Sequence, residues 1–173
     1  MTLYIPATYC REDSRSLIFL LGPIEGAPRW QTVAAQWFRS NTDCDRVDVA
    51  SPRYISLDDE DTLDWAPHIS SQNQIDWEIY HLSRANKNGV IMAWLPPEEK
   101  VIPERCYAQT SRFELGEQLA RHSLRNINLV VGVEAGFSGE GYVAYRIGQV
   151  PTIPLRFGLE ETCKAVLELL PKY

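Results

Sequence analysis

A chain of 173 residues with 45% apolar and 23% charged residues has the size and composition of one globular domain, spanning residues 1–173, with enough length to bury a proper core. A formal net charge of −6, with no basic block to offset it, excludes a binder of the nucleic acid backbone and leaves a small or neutral ligand as the partner. No segment approaches 18 consecutive apolar residues and the start lacks a signal-peptide profile, so a cytoplasmic protein with no membrane partner is expected.

Cys10, Cys44, Cys106 and Cys163 are far apart and form no C-x-x-C pair, which fits reduced thiols better than a disulfide framework or a zinc site. His68, His81 and His122 are equally scattered. Glu78-x-x-His81 has the spacing of half a di-iron site, but there is no second copy, so no metal is expected from it.

Residues 1–16 are polar and irregular and read as an arm crossing the surface. Leu17 to Leu21 is a continuous apolar run, as expected of a strand buried on both faces, and Gly22-Pro23 turns the chain at its carboxyl end. In open α/β sheets ligands bind at that end. The loop from Gly22 to Ala27 is neither G-x-G-x-x-G nor a Walker sequence, so no dinucleotide or triphosphate fingerprint is present.

Pro28 to about Ser40 reads as a helix with Trp30, Val33, Ala34, Trp37 and Phe38 on one face. Arg46 to Ala50 is a second strand. Residues 52–69 are loop-like and acidic, with Asp58, Asp59, Glu60, Asp61 and Asp64, a pattern that usually marks a solvated surface and lacks the glycine and ligand spacing of an EF-hand. A helix from about Ser70 to Ala85 carries Ile75, Ile79 and Leu82 on one stripe. Glu78 falls within that stripe, whereas Asp76 points about 100° away from Ile75.

Val90 to Leu95 is the third strand, and Pro96-Pro97 opens a long loop containing Tyr107 and Thr110 before a helix that begins near Arg112. Ile127 to Val133 is the fourth strand, Gly136 to Gly141 a glycine-rich loop, Tyr142 to Gly148 a short helix, Thr152 to Leu155 a fifth strand, and Leu159 to Leu170 a closing helix. Strands alternating with helices indicate an α/β domain, with a parallel sheet covered on both faces.

Two carboxylates bear on chemistry. Glu114 follows Arg112-Phe113 near a helix start, where the dipole favours its ionised form, and Gly116 lets another backbone approach. Ser111-x-x-Glu114 also fits a capping box, in which the acid merely satisfies a backbone N–H. Glu78, on an apolar face, either pairs with a core arginine or keeps its proton. Two acids driven in opposite directions can divide nucleophile and acid roles, as substitution at an anomeric carbon requires.

In order and spacing, five stretches resemble the nucleoside 2-deoxyribosyltransferase family, particularly its divergent branch. They are Ile18 to Ile24 followed by Trp30-Gln31; Ser51-Pro52-Arg53; Gln74-Ile75-Asp76-Trp77-Glu78 followed by Leu82 and Ala85; Val90 to Trp94; and Phe113-Glu114-Leu115-Gly116. The resemblance covers most of residues 17–135. It implies a flavodoxin-like three-layer sandwich with a central, mostly parallel five-stranded sheet. It also implies a retaining exchange of bases between 2′-deoxynucleosides and free nucleobases, with no cofactor or metal, in a homo-oligomer (dimer or higher).

The family's nucleophilic glutamate falls on Glu114 and its second acid on Glu78, with Asp76 as the fallback. Gly22, Pro23, Ile24, Trp30, Arg53 and Arg112 would line the substrate pocket. The chain departs from the family at Asn86, where an Asp is usual, at the apparent insertion Lys87-Asn88-Gly89, and at Arg112, where an apolar residue is usual. Arg112 would either bind a substrate 5′-phosphate or pair with Glu78. The rival expectations are a deoxynucleoside or deoxynucleotide N-glycosidase using the same site, and a nucleotide-binding module without turnover.

Overall fold

The computed structural model describes residues 1–11, 15–43, 45–56 and 70–171. Six parallel strands form one sheet: β1 (Leu3–Tyr4), β2 (Ser16–Leu21), β3 (Val47–Ala50), β4 (Gly89–Leu95), β5 (Leu129–Val133) and β6 (Leu155–Arg156). Their order across the sheet is β1-β3-β2-β4-β5-β6, with every pairing parallel. Without the edge strand β1 this is the doubly wound order of flavodoxin-like folds, whose switch point lies between β2 and β4.

Each central strand is buried on both faces, and its alternate residues feed two separate cores. Leu17, Phe19 and Leu21 of β2, with Ile91, Ala93 and Leu95 of β4, pack into the core that holds Trp77, Leu115 and Ile147. Ile18 and Leu20, with Val90, Met92 and Trp94, pack into the core of Trp30, Phe38, Cys163 and Val166. The period of two in a strand makes this division automatic. Helices α2 (Ser71–Lys87), α3 (Gln109–Arg125) and α4 (Glu140–Gly148) therefore cover one face, and α1 (Trp30–Asn41) and α5 (Leu159–Leu169) cover the other. The result is a three-layer sandwich.

Two expectations are corrected. The N-terminal arm is not wholly irregular: Leu3 and Tyr4 add a sixth strand, because Val49 N–H donates to Thr2 O at 3.0 Å and Ser51 N–H to Tyr4 O at 2.9 Å. The last strand lies at Leu155–Arg156, not Thr152–Leu155. Ile153 N–H closes a turn onto Val150 O, and Pro154, which has no N–H of its own, contributes only its carbonyl, to Val131. Cys10, Cys106 and Cys163 are free thiols, and Cys44 lies outside the described residues. No described helix is long and apolar enough to cross a membrane.

Candidate active site

Helix α2 starts where Ser70, in extended conformation, accepts the Asn73 N–H on its side chain at 3.3 Å. Its buried residues are Trp77, His81, Leu82, Arg84 and Ala85, whereas Ile75 and Ile79 are exposed. The expected Ile75–Ile79–Leu82 stripe is therefore wrong. The larger aromatic surface of Trp77 faces inward, tilted against His81 with ring centroids 4.1 Å apart. Trp77 Nε1 donates to Thr8 O at 2.6 Å and Tyr80 Oη to Cys10 O at 2.7 Å, which ties the N-terminal segment across the helix. Glu78, one residue round from Trp77, is half-buried on the side facing α3.

Helix α3 begins at Gln109, after Ala108 in left-handed conformation with φ of 56°, and no side chain caps it. Ser111 is a buried residue of the helix proper, so the capping-box explanation of Glu114 does not hold. Glu114 is the sixth helical residue, beyond the first turn where the dipole acts. It flanks the buried row of Ser111, Leu115, Gln118 and His122 and reaches Glu78. Among the described residues nothing uses Gly116 for a close approach: a Cβ on it would meet no atom within 4 Å.

The carboxyls of Glu78 and Glu114 face each other closely enough to act on each other's protonation. Gln74, one turn earlier on α2, donates from Nε2 to Glu78 Oε1 at 3.0 Å. Burial raises the Glu78 pKa, and the hydrogen bonds from Gln74 and Glu114 oppose that rise. Burial, then the charges of Glu78 and Glu117, then the hydrogen bond to Glu78 push Glu114 up to about 8. The expected opposite shifts are thus overturned: both groups favour their protons, because two acids in one desolvated gap cannot both ionise cheaply. Glu78 has no arginine partner among the described residues, so the core-pair explanation also falls.

Topology places the pair. Helix α2 runs back towards the amino end of β4, and α3 leaves from the carboxyl side, so the early turns of both lie over the carboxyl ends of β2 and β4. The loop that follows β2 is held tightly. A Cβ on Gly22 would stand 2.2 Å from Trp94 O and 2.7 Å from the Trp30 ring. Pro23 O accepts from Trp30 Nε1 at 3.0 Å and from Gln31 Nε2 at 3.1 Å. Arg53 donates to Pro28 O at 2.8 Å, to Ile24 O at 3.1 Å and to Gln31 Oε1 at 3.3 Å.

Trp30 and Arg53 therefore shape the loop from within, and Ile24 is partly exposed on it. Tyr107 closes the next loop, donating to Pro96 O at 3.0 Å and Pro97 O at 3.2 Å. Glu99 and Lys100 N–H groups both reach Gly26 O, at 2.8 and 3.1 Å, and Arg105 pairs with Glu25. The two loops form one rim.

Asp76 is exposed and accepts from Gln72 Nε2 at 3.1 Å, apart from the carboxyl pair. Arg112 does not pair with Glu78. Its Nη2 donates to Ser138 O at 2.7 Å and its guanidinium lies over the Phe137 ring, 4.9 Å from the centroid. Residues 57–69, including the acidic run and His68, lie outside the described residues. Among the described residues no group of three or more His, Cys, Asp or Glu is arranged to hold a metal.

Sequence reasoning missed Gln74, although its spacing of four from Glu78 is the signal for a side-chain pair on a helix. Asn86, singled out as a departure from the family, donates from Nδ2 to Gln118 Oε1 at 3.2 Å further along the α2–α3 seam. No family model matches the chain, and no curated protein matches it.

Proposed function

We propose that this chain is a nucleoside 2-deoxyribosyltransferase, exchanging the base of 2′-deoxynucleosides through a covalent deoxyribosyl–glutamate intermediate with retention. The observation that carries the reading is the facing Glu78–Glu114 carboxyl pair over the switch point of the sheet. Retaining glycosyl transfer uses two carboxyls roughly 5 Å apart, one to attack and one to move a proton.

Glu114 holds the proton at rest, so the first event is its passage to Glu78. The Glu114 carboxylate then bonds to C1′ as the C1′–N bond breaks, and the departing base takes the electron pair and the proton from Glu78. The acceptor base reverses the sequence. Its ring nitrogen attacks C1′ and gives its proton to Glu78, and Glu114 leaves as a carboxylate. A missing 2′-hydroxyl makes the oxocarbenium-like transition state easier to reach, which suits a deoxyribosyl donor. The motif order from Ile18 to Gly116 supports the same substrate class, and nothing in the chemistry calls for a metal or cofactor.

The test is a chromatographic assay of deoxyinosine with adenine, and of thymidine with adenine, each run with and without the acceptor. New deoxyadenosine that disappears in Glu114→Ala supports transfer and the nucleophile. Base released equally without acceptor assigns the site to an N-glycosidase, and tight nucleoside binding with no base release assigns it to a binding module.

A further inference from the structure

The two carboxyls of the pair are not equivalent in their neighbours. Glu78 receives an amide N–H from Gln74 at 3.0 Å, one helical turn away on the same face of α2. Among the described residues, the groups acting on Glu114 are two other acids, Glu78 and Glu117, and no side chain donates to it. Glu117 is itself drawn outward by Arg121, whose Nη2 and Nε lie 2.6 and 3.0 Å from Glu117 Oε1. A carboxylate with a donor holds its charge more easily than one without. The single proton of the pair therefore belongs on Glu114 and the negative charge on Glu78.

We infer that Gln74 is a positioning residue: by donating to Glu78 it keeps the shared proton on Glu114 and holds the pair in a resting form that attacks only after that proton has crossed. This deepens the transferase reading and rests on it for its catalytic meaning. The placement of the proton is a property of the free protein. Gln74 is partly exposed on a helix, and Gln74→Met keeps length and helix preference while removing the donor.

The experiment is carboxyl-carbon NMR titration of the full chain labelled at glutamate Cδ, with Glu78 and Glu114 assigned by Glu78→Gln and Glu114→Gln. In the unsubstituted protein at pH 7, Glu78 should show an ionised and Glu114 a protonated carboxyl. In Gln74→Met the lower titration step of the pair should rise by about one pH unit, the size of one hydrogen bond to a charged group. At pH 7 the Glu78 signal should also move towards its protonated position and the Glu114 signal towards its ionised one. The acid limb of kcat/KM should move in parallel.

Titration curves for both residues that are unchanged in Gln74→Met would overturn the inference, whatever the activity. A changed titration in a protein that transfers no base would leave the proton placement standing and remove the transferase reading instead. The two failures are therefore distinguishable.

Discussion

Glu114 on α3 faces Glu78 on α2, two carboxyls 36 positions apart in the chain that share one desolvated gap. The contact sets the sign of several measurable effects. With a pKa raised from 4.5 to about 8 in the folded protein, Glu114 contributes stability that is full below the unfolded value and is lost as the pH rises through 8. Glu114→Gln removes that loss and still offers an N–H to Glu78. The variant should be more stable than the parent at pH 8.5 by about 2 kcal/mol, a figure reduced for partial exposure, while losing base transfer. Urea unfolding at pH 6.5 and 8.5 checks it, and a variant that is less stable at the higher pH would refute it.

The same pair predicts a pH profile. Transfer needs one proton between the two acids, so the rate should fall above about pH 8, where Glu114 loses it. Buffer-independent rates between pH 5 and 10 would show this limb. A profile flat to pH 10 would exclude a shared proton from the mechanism.

His81 acts in the opposite direction. Its Nε2 accepts the Cys10 N–H at 3.2 Å and its Nδ1 faces Trp77 O at 2.9 Å, which suits the neutral ring. Tyr4, Tyr9, Tyr80 and Trp77 surround it. Burial lowers its pKa from 6.5 to about 4, against the backbone hydrogen bond to Trp77. Stability is therefore full above pH 6.5 and is lost as the pH falls towards 4, by up to about 3 kcal/mol. In His81→Gln the fall between those limits should flatten, as read by unfolding at pH 7 and 5. An unaltered slope would remove His81 as its source.

Arg53 props the loop after β2 through three carbonyls and Gln31. Truncation in Arg53→Ala should leave those part-buried acceptors unpaired and cost about 1 to 3 kcal/mol. Arg53→Lys, a point charge that cannot match the fork, should recover less than half of it. Thermal unfolding of the two variants gives the comparison, and full recovery by lysine would show that charge alone matters there.

Gly22 offers no space for a methyl group. Gly22→Ala puts a Cβ 2.2 Å from a backbone oxygen, Trp94 O, which cannot rotate aside. The β2 and β4 ends must then part, at a cost of about 1 to 3 kcal/mol. An alanine variant with parental melting temperature would contradict the packing described for the switch point.

What the sequence by itself determined is the alternation of strands and helices and their placement in a parallel sandwich. Runs such as Leu17 to Leu21 and Val90 to Leu95 are local signals, strong because both faces of each strand must be apolar. Glu78 and Glu114 could be named from motif order, but their relation could not. The Ile75–Ile79–Leu82 stripe pointed to the wrong face of α2, since Trp77 and His81 bury against a distant N-terminal segment that no helical period encodes. The helix dipole suggested an ionised Glu114, and only the fold revealed the acid beside it and the start of α3 at Gln109. Only the fold showed that Trp30 and Arg53 turn donors onto the carbonyls of the loop after β2. Local pattern specifies which elements form, whereas a proton's location depends on burial and neighbours that sequence-distant segments supply, so only the tertiary structure decided it.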